Sequence, residues 1–486
     1  MATSVKTNFV YTIINTVSGL LFPLISFPYI SRTVLPEGVG IVSFYNSIIG
    51  YVVLLTNLGI PLYGIRSVAR VRDNLYELNK TTKEILLLNL MLNIVGYLLI
   101  IILCLSVSQI RENLPLFLLL SLSIILTTIG TSWYFSGVED FRYITIRSLV
   151  IKTISLILLF CIVKTKEDLF YYGAYTVFGL LGSNLWNFLR LRKRLKSETI
   201  PFSKLQPFRH IKPALNIFLF NLITSIYLKL DLTMIGFLKN NESVGYYTAA
   251  SNIVHIVLSI LASLGQATLP RFSNMVAQKN STDFQRLAQK SYMFILMVSL
   301  PMFVGIILIA QPLVHVFCGN AFDDAIPTIK ILSFIIVAIG LSNLFGMQLL
   351  YPIGKVKLIN ISVAVGATAN FILNWLLIPS YGHNGAAVAT VVAETCVTLT
   401  QVFMAYKLFP FKLLSIDYLK YMLSSAVMAF VCFLLLNCTL SDLQICIFIP
   451  IIGATIVVIM NIIQRDSITK EIVTALVRFI IEKSRK

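Results

Sequence analysis

Fourteen stretches of about 20 mainly apolar residues, each long enough to cross roughly 30 Å of hydrocarbon, follow one another along this chain. They lie at approximately 9–30, 39–60, 84–109, 116–136, 148–163, 169–190, 214–238, 246–268, 292–316, 326–350, 358–379, 385–407, 419–438 and 444–463. Such an alternation predicts an all-α integral membrane protein of about fourteen spans, because lipid pairs with no backbone polar group and a helix satisfies its own. Of the 486 residues 57% are hydrophobic and only 12% charged, against about 25% charged in soluble domains.

A net charge of +18 raises nucleic acid as a partner, and the placement of the charges argues against it. Most of the 39 Lys and Arg fall in alternate loops on the side of the N-terminus. The opposite loops hold Arg32, Arg111, Lys164, Lys166 and Lys239. By the positive-inside rule both termini are expected in the cytoplasm, and the excess charge is read as topology and contact with anionic headgroups. Seven scattered cysteines, with no C-x-x-C pair, read as small packing residues. The first apolar stretch lacks a cleavable signal pattern and is expected to remain as span 1.

The chain also repeats itself. Residues 37–49, EGVGIVSFYNSII, return as 242–254, ESVGYYTAASNIV, so that Glu37, Val39, Gly40 and Ile48 recur 205 positions later as Glu242, Val244, Gly245 and Ile253. Arg66 recurs at the same spacing as Arg271. Both copies open a span in the same orientation. The expected architecture is two six-helix lobes related by a pseudo-two-fold axis along the membrane normal, a usual plan for transporters. The expected boundaries are an N-lobe over 1–190, a basic cytoplasmic linker over 191–213, a C-lobe over 214–408, spans 13 and 14 within 409–463, and an amphipathic cytoplasmic tail over 464–486.

Catalysis has no visible place. The one Gly-Lys pair, Gly354-Lys355, lacks the rest of a phosphate-binding loop, and no metalloprotease or nucleophile-elbow motif is present. Asp323-Asp324 is the sole acidic pair on the outer face and reads as a turn or helix cap. The chain is not expected to be an enzyme or to carry a cofactor or metal.

Polar residues inside the spans are the functional candidates. In span 2, Ser43, Asn46, Ser47 and Gly50 share one helical face, and the repeat carries Thr248, Ser251, Asn252 and His255 at the same positions of span 8. Such stripes glue helices together or line an aqueous cavity; their presence on both related helices favours a shared cavity. Span 7 holds Lys229 and Asp231, with Asn221, Ser225 and Lys229 on one stripe and Thr224, Tyr227 and Asp231 on another. Lys229 either snorkels to the headgroups or meets an anionic group of a substrate. Arg32 is an interfacial anchor or a ligand contact, and Arg66 and Arg271 stand where a phosphate would enter, although topology alone also accounts for them. Glu394, Asn370 and Asn374, together with Asp231, offer either structural hydrogen bonds or a Na⁺ or proton coupling site.

The segments YISRTVLPEGVGIVSF (29–44), NLGIPLYGIRSVA (57–69), WYFSGVEDF (133–141), LDLTMIGFLKNNESVGYYTAA (230–250) and LINISVAVGATANFILNWLLIPSYGHNGAAVAT (358–390) resemble the Wzx-type polysaccharide flippases of the multidrug/oligosaccharidyl-lipid/polysaccharide exporter superfamily. The resemblance implies export of an undecaprenyl-diphosphate-linked oligosaccharide across a bacterial cytoplasmic membrane for O-antigen, capsule or exopolysaccharide assembly. It also implies alternating access between lobes, contact with membrane lipids, and polymerase and chain-length partners. Ser31-Arg32-Thr-Val-Leu35 resembles a span-1 element that contributes a cavity arginine in related lipid II flippases. A multidrug antiporter of the same fold, or a membrane glycan polymerase or ligase, are the competing expectations.

Overall fold

A computed structural model describes residues 5–195, 200–408, 416–471 and 474. The described residues are helical throughout, with no strand. Ten helices among them are long and apolar enough to cross a membrane. Two of these ten are pairs of helices joined across a sharp corner: Val5–Asn57 breaks at Leu35 (φ 62°, ψ 175°) and Val356–Tyr406 breaks at Gly382 (φ 55°, ψ −133°). The sequence predicts loops over 31–38 and 380–384, and the chain instead turns in one residue at each place. Pro36 explains the first corner, since a proline disfavours helical geometry in the residue before it and suits the first position of the helix after it. Helices Leu169–Leu195 and Ile211–Leu238 occupy the places of spans 6 and 7.

Side chains are distributed inside out relative to a soluble protein. Leu105 and Leu180 are each 72% exposed, whereas Asn89, Asn93, Thr128 and Asn187 are buried. Asn93 Nδ2 donates to Thr128 Oγ1 at 2.6 Å. Aliphatic surface of this kind has no place in water and suits lipid, while interhelical hydrogen bonds hold the bundle.

The chain divides into two compact units, Met1–Gly245 and Tyr246–Lys486. Helix Ile211–Leu238, which the sequence reading assigns to the second lobe, packs in the first unit against the second half of Val5–Asn57. Small residues make that packing close. A Cβ on Gly236 would collide with the Phe44 ring, and one on Gly50 would lie 2.6 Å from Lys229 Nζ. Thr233 Oγ1 donates to Ser47 Oγ at 2.8 Å between them, so the helices run antiparallel with 50 beside 229, 47 beside 233 and 44 beside 236.

At the far end of this pair the duplicated elements themselves meet. A Cβ on Gly40 would overlap the carbonyl oxygen of Asn241, and a Cβ on Gly245 would overlap the carbonyl oxygen of Pro36. Residues 241 and 245 are residues 36 and 40 displaced by the repeat length, so the contact is reciprocal. Residue-for-residue reciprocity of this sort is the mark of an isologous contact.

The tail helix expected beyond residue 464 lies mostly outside the described residues, as do the side chains of Asn221 and Thr224.

Candidate functional site

The antiparallel helix pair of the first unit presents the lysine. Lys229 stands on the Gly50 backbone, where any larger residue would meet its Cδ, Cε and Nζ at 2.5 to 2.8 Å. Ser43 and Asn46, on the same face as Gly50, are partly exposed. Ser47 differs: it is 2% exposed, donates to Phe44 O at 2.7 Å and accepts from Thr233, so it serves the helix contact rather than an open face. Asp231, two residues from Lys229 and on another side of the helix, is half-buried near Tyr51, whose hydroxyl donates to Ile226 O at 3.4 Å. Arg32 is exposed and its Nη1 donates to Pro28 O at 2.8 Å. Arg66 is exposed on a separate amphipathic helix, Ile60–Val71, which begins after a turn at Leu58 and Gly59.

The second unit repeats the pattern with different neighbours. Along Asn241–Ala277, Ala249, Ala250, Ile253 and Val254 are buried, while Thr248 and Ser251 are partly exposed and Asn252 and His255 exposed. The polar stripe therefore lies on the face that its own unit leaves uncovered. Further along, Thr268 Oγ1 donates to Gln348 Oε1 at 2.9 Å; Gln348 belongs to a π-helical stretch, Asn343–Leu350, a distortion often found at functional sites. Asn370 and Asn374 are fully buried, with Asn374 Nδ2 donating to Asn370 Oδ1 at 3.0 Å. Glu394 is half-buried and Arg271 exposed. Among the described residues no group of His, Cys, Asp and Glu is arranged to hold a metal.

Three polar groups have partners that the sequence reading does not foresee. Lys152, within the expected span 148–163 but not singled out there, sits inside helix Phe141–Ile162, where its Nζ donates to Ser18 Oγ at 3.1 Å and lies 5.9 Å from the Phe22 ring centroid. Asp323 lies in the expected turn, after the short helix Asn320–Phe322, and in addition accepts from His315 Nε2 at 2.9 Å, while Asp442 holds Nδ1 of the same ring at 2.9 Å. Asp324 stands at a helix start without making a capping bond.

The third is Glu84. Its carboxylate is fully buried and receives Arg209 Nη2 at 2.6 Å, His210 Nε2 at 2.9 Å and Gln206 N at 2.9 Å, while Tyr63 Oη lies 2.6 Å from His210 Nδ1. These bonds fasten residues 206–210 of the basic linker onto the bundle. Burial holds the His210 imidazole below the ordinary histidine value, against the opposing pull of Glu84. The folded state thus binds fewer protons than the unfolded chain, and this contribution is present above about pH 6.5 and lost as the pH falls below it. We expect the thermal midpoint to drop on acidification and His210→Gln to flatten that slope. A His210→Gln variant with an unaltered acid slope from about pH 7 to about pH 5 contradicts the buried neutral imidazole.

A multi-pass helical bundle with accessible polar stripes and a lysine within one of its long helices has the build of a membrane transporter. The pattern of the polysaccharide biosynthesis protein family matches residues 5–276, more than half of the chain, and that of the MatE family matches residues 217–376. The chain belongs to the polysaccharide biosynthesis protein family, and its likeness is to the Wzx-type flippases. A putative O-antigen transporter of Escherichia coli (strain K12) is 22% identical over 81% of this chain and 95% of its own length. A probable low-salt glycan biosynthesis flippase of Haloferax volcanii is 22% identical over 44% of each chain. Among solved structures, the lipid II flippase MurJ in an inward closed conformation superposes with a TM-score of 0.71 at 20% identity, covering 94% of this chain and 99% of that one. An inward-facing multidrug resistance transporter of the MATE family gives a TM-score of 0.64 at 14% identity, over 80% and 93%.

Proposed function

We propose that this protein moves undecaprenyl-diphosphate-linked oligosaccharide repeat units from the cytoplasmic to the outer leaflet of a bacterial inner membrane, for O-antigen, capsule or exopolysaccharide assembly. The observation that carries the reading is Lys229 seated on Gly50 beside the accessible Ser43 and Asn46. A lipid diphosphate is strongly anionic, and an uncompensated charge in a low-dielectric slab costs many kcal/mol. A lysine on an open polar face lowers that barrier, and Ser/Thr/Asn side chains supply the hydrogen-bond partners that sugars need. The names of the O-antigen and glycan-flippase relatives support the substrate class.

In this reading fourteen spans form two lobes about a pseudo-two-fold axis, with both termini cytoplasmic, and the stripes of Ser43 and Asn46 and of Thr248, Ser251, Asn252 and His255 face a common path, Ser47 holding the helix that carries the first. Arg32 meets the substrate near the outer side, Arg66 and Arg271 receive its phosphates at the cytoplasmic entrance, and the lobes alternate access. Asp231, Asn370, Asn374 and Glu394 couple the cycle to Na⁺ or protons. A polymerase and a chain-length regulator act on the exported units.

The test is what a deletion strain accumulates. Lipid-linked repeat units trapped on the cytoplasmic face, restored to the outside by the plasmid-borne gene, are the expected result; single units already exposed outside would point to a missing polymerase instead. The MatE match over 217–376 favours a second reading, a multidrug antiporter, which predicts drug hypersensitivity of the deletion strain with intact surface glycan.

A further inference from the structure

At one end of helix Phe141–Ile162 lies a cationic cluster that the transport reading does not use. Arg147 is 7% exposed, yet its Nε and Nη1 make no hydrogen bond, nor does the buried hydroxyl of Tyr143 one turn before it. The guanidinium carbon is 5.6 Å from the Tyr143 ring centroid, and that of Arg190, from helix Leu169–Leu195, lies 3.8 Å from the same ring. Arg194 is 5.9 Å from the Phe135 ring. Asp140 pairs with Arg190 at 3.0 Å and Arg194 at 3.3 Å. Among the described residues no carboxylate lies within 4.0 Å of Arg147, and the neighbouring Glu139 is engaged by Arg72.

A guanidinium drawn largely out of water without a counter-charge is unfavourable, because its desolvation is repaid only by a paired and hydrogen-bonded anion. If packing were the whole role, an apolar side chain of the same volume would serve as well or better. The unused donors are two guanidinium N–H directions and a phenol O–H, flanked by two further guanidinium groups already turned toward the same ring. Planar forks of this kind match the oxygens of a phosphate, which accepts bidentate bonds and tolerates several cations at once.

We propose that Arg147 and Tyr143, with Arg190 and Arg194 at the rim, form a binding site for a phosphate or diphosphate group. Its source is an anionic lipid headgroup or a diphosphate presented from solution or on a lipid carrier; the chemistry recognised is the same. The site lies on helices other than those carrying Lys229, and it stands whether or not the transport reading does.

The test uses the purified full-length protein in nanodiscs of phosphatidylcholine, titrated with inorganic pyrophosphate, and in nanodiscs containing phosphatidylglycerol, with bound lipid counted by native mass spectrometry. Arg147→Met is expected to weaken pyrophosphate binding at least tenfold, or to release one retained phosphatidylglycerol; the first outcome assigns a soluble or carrier diphosphate, the second a headgroup. Because Arg147 is buried, the double variant Arg190→Gln/Arg194→Gln, at partly exposed positions, provides an arm that leaves the interior untouched, and it should weaken the same probe. Wild-type affinity for both probes in every variant that folds overturns the proposal.

Discussion

Gly40→Ala and Gly245→Ala are each expected to reduce folded protein in the membrane and to cut surface glycan at least tenfold. Each new methyl would occupy the space of a backbone carbonyl oxygen, that of Asn241 in one case and of Pro36 in the other. A flexible side chain can swing away from an intruding atom, but a carbonyl within a helix moves only with its helix. Overpacking ordinarily costs about 1–3 kcal/mol, and here the two backbones must part along their whole crossing. The effect should be nearly equal for the two glycines because the contact is reciprocal. Gly305 is the internal control: it lies in helix Ser281–Leu308, where a Cβ would meet nothing within 4 Å, and alanine there should be neutral or stabilising by about 1 kcal/mol from helix propensity. Abundance by fluorescence-detected size exclusion, read beside surface glycan, separates misfolding from lost transport. Normal abundance and export in both Gly40→Ala and Gly245→Ala would show that the duplicated elements do not cross this closely in the membrane.

The duplicated element also marks what the sequence could and could not convey. Apolar runs and alternating loop charge are local signals, so the helical class and most span positions were readable. The echo of EGVG in ESVG was readable as well. Its consequence was not, because the meeting of Gly40 with Asn241 joins segments two hundred residues apart and leaves no local trace. The same holds for Glu84, whose partners Gln206 and His210 lie 122 and 126 residues away; a span-terminal glutamate and a basic linker look unrelated until the fold joins them. Helical spacing put Ser43 and Ser47 on one face, but only the neighbouring Thr233 reveals that Ser47 is covered. Lys152 falls within the expected span 148–163, but its partner Ser18 lies 134 residues away and leaves no local trace.

Lys229→Met should abolish most export while leaving abundance intact, and Gly50 provides the means of showing that position as well as charge matters. Methionine keeps the length and apolar stem of the side chain and removes the ammonium. Hydrogen bonds to charged groups contribute about 1.5–3 kcal/mol, so the loss corresponds to roughly 10- to 100-fold in rate or affinity. Lys229→Arg keeps the charge on a bulkier, planar head and should retain partial activity. At Gly50 a Cβ would meet the lysine Cε at 2.5 Å and Nζ at 2.6 Å, atoms at the end of a flexible chain, so Gly50→Ala displaces the amine without prying the helices apart. It should therefore lower export with normal abundance, unlike Gly40→Ala, which is expected to lower both. In the double variant Gly50→Ala/Lys229→Met the two losses should not add, since the alanine acts only through the lysine. Full additivity, or normal surface glycan in Lys229→Met, would remove Lys229 from the substrate path and return it to the role of a residue anchored at the headgroups.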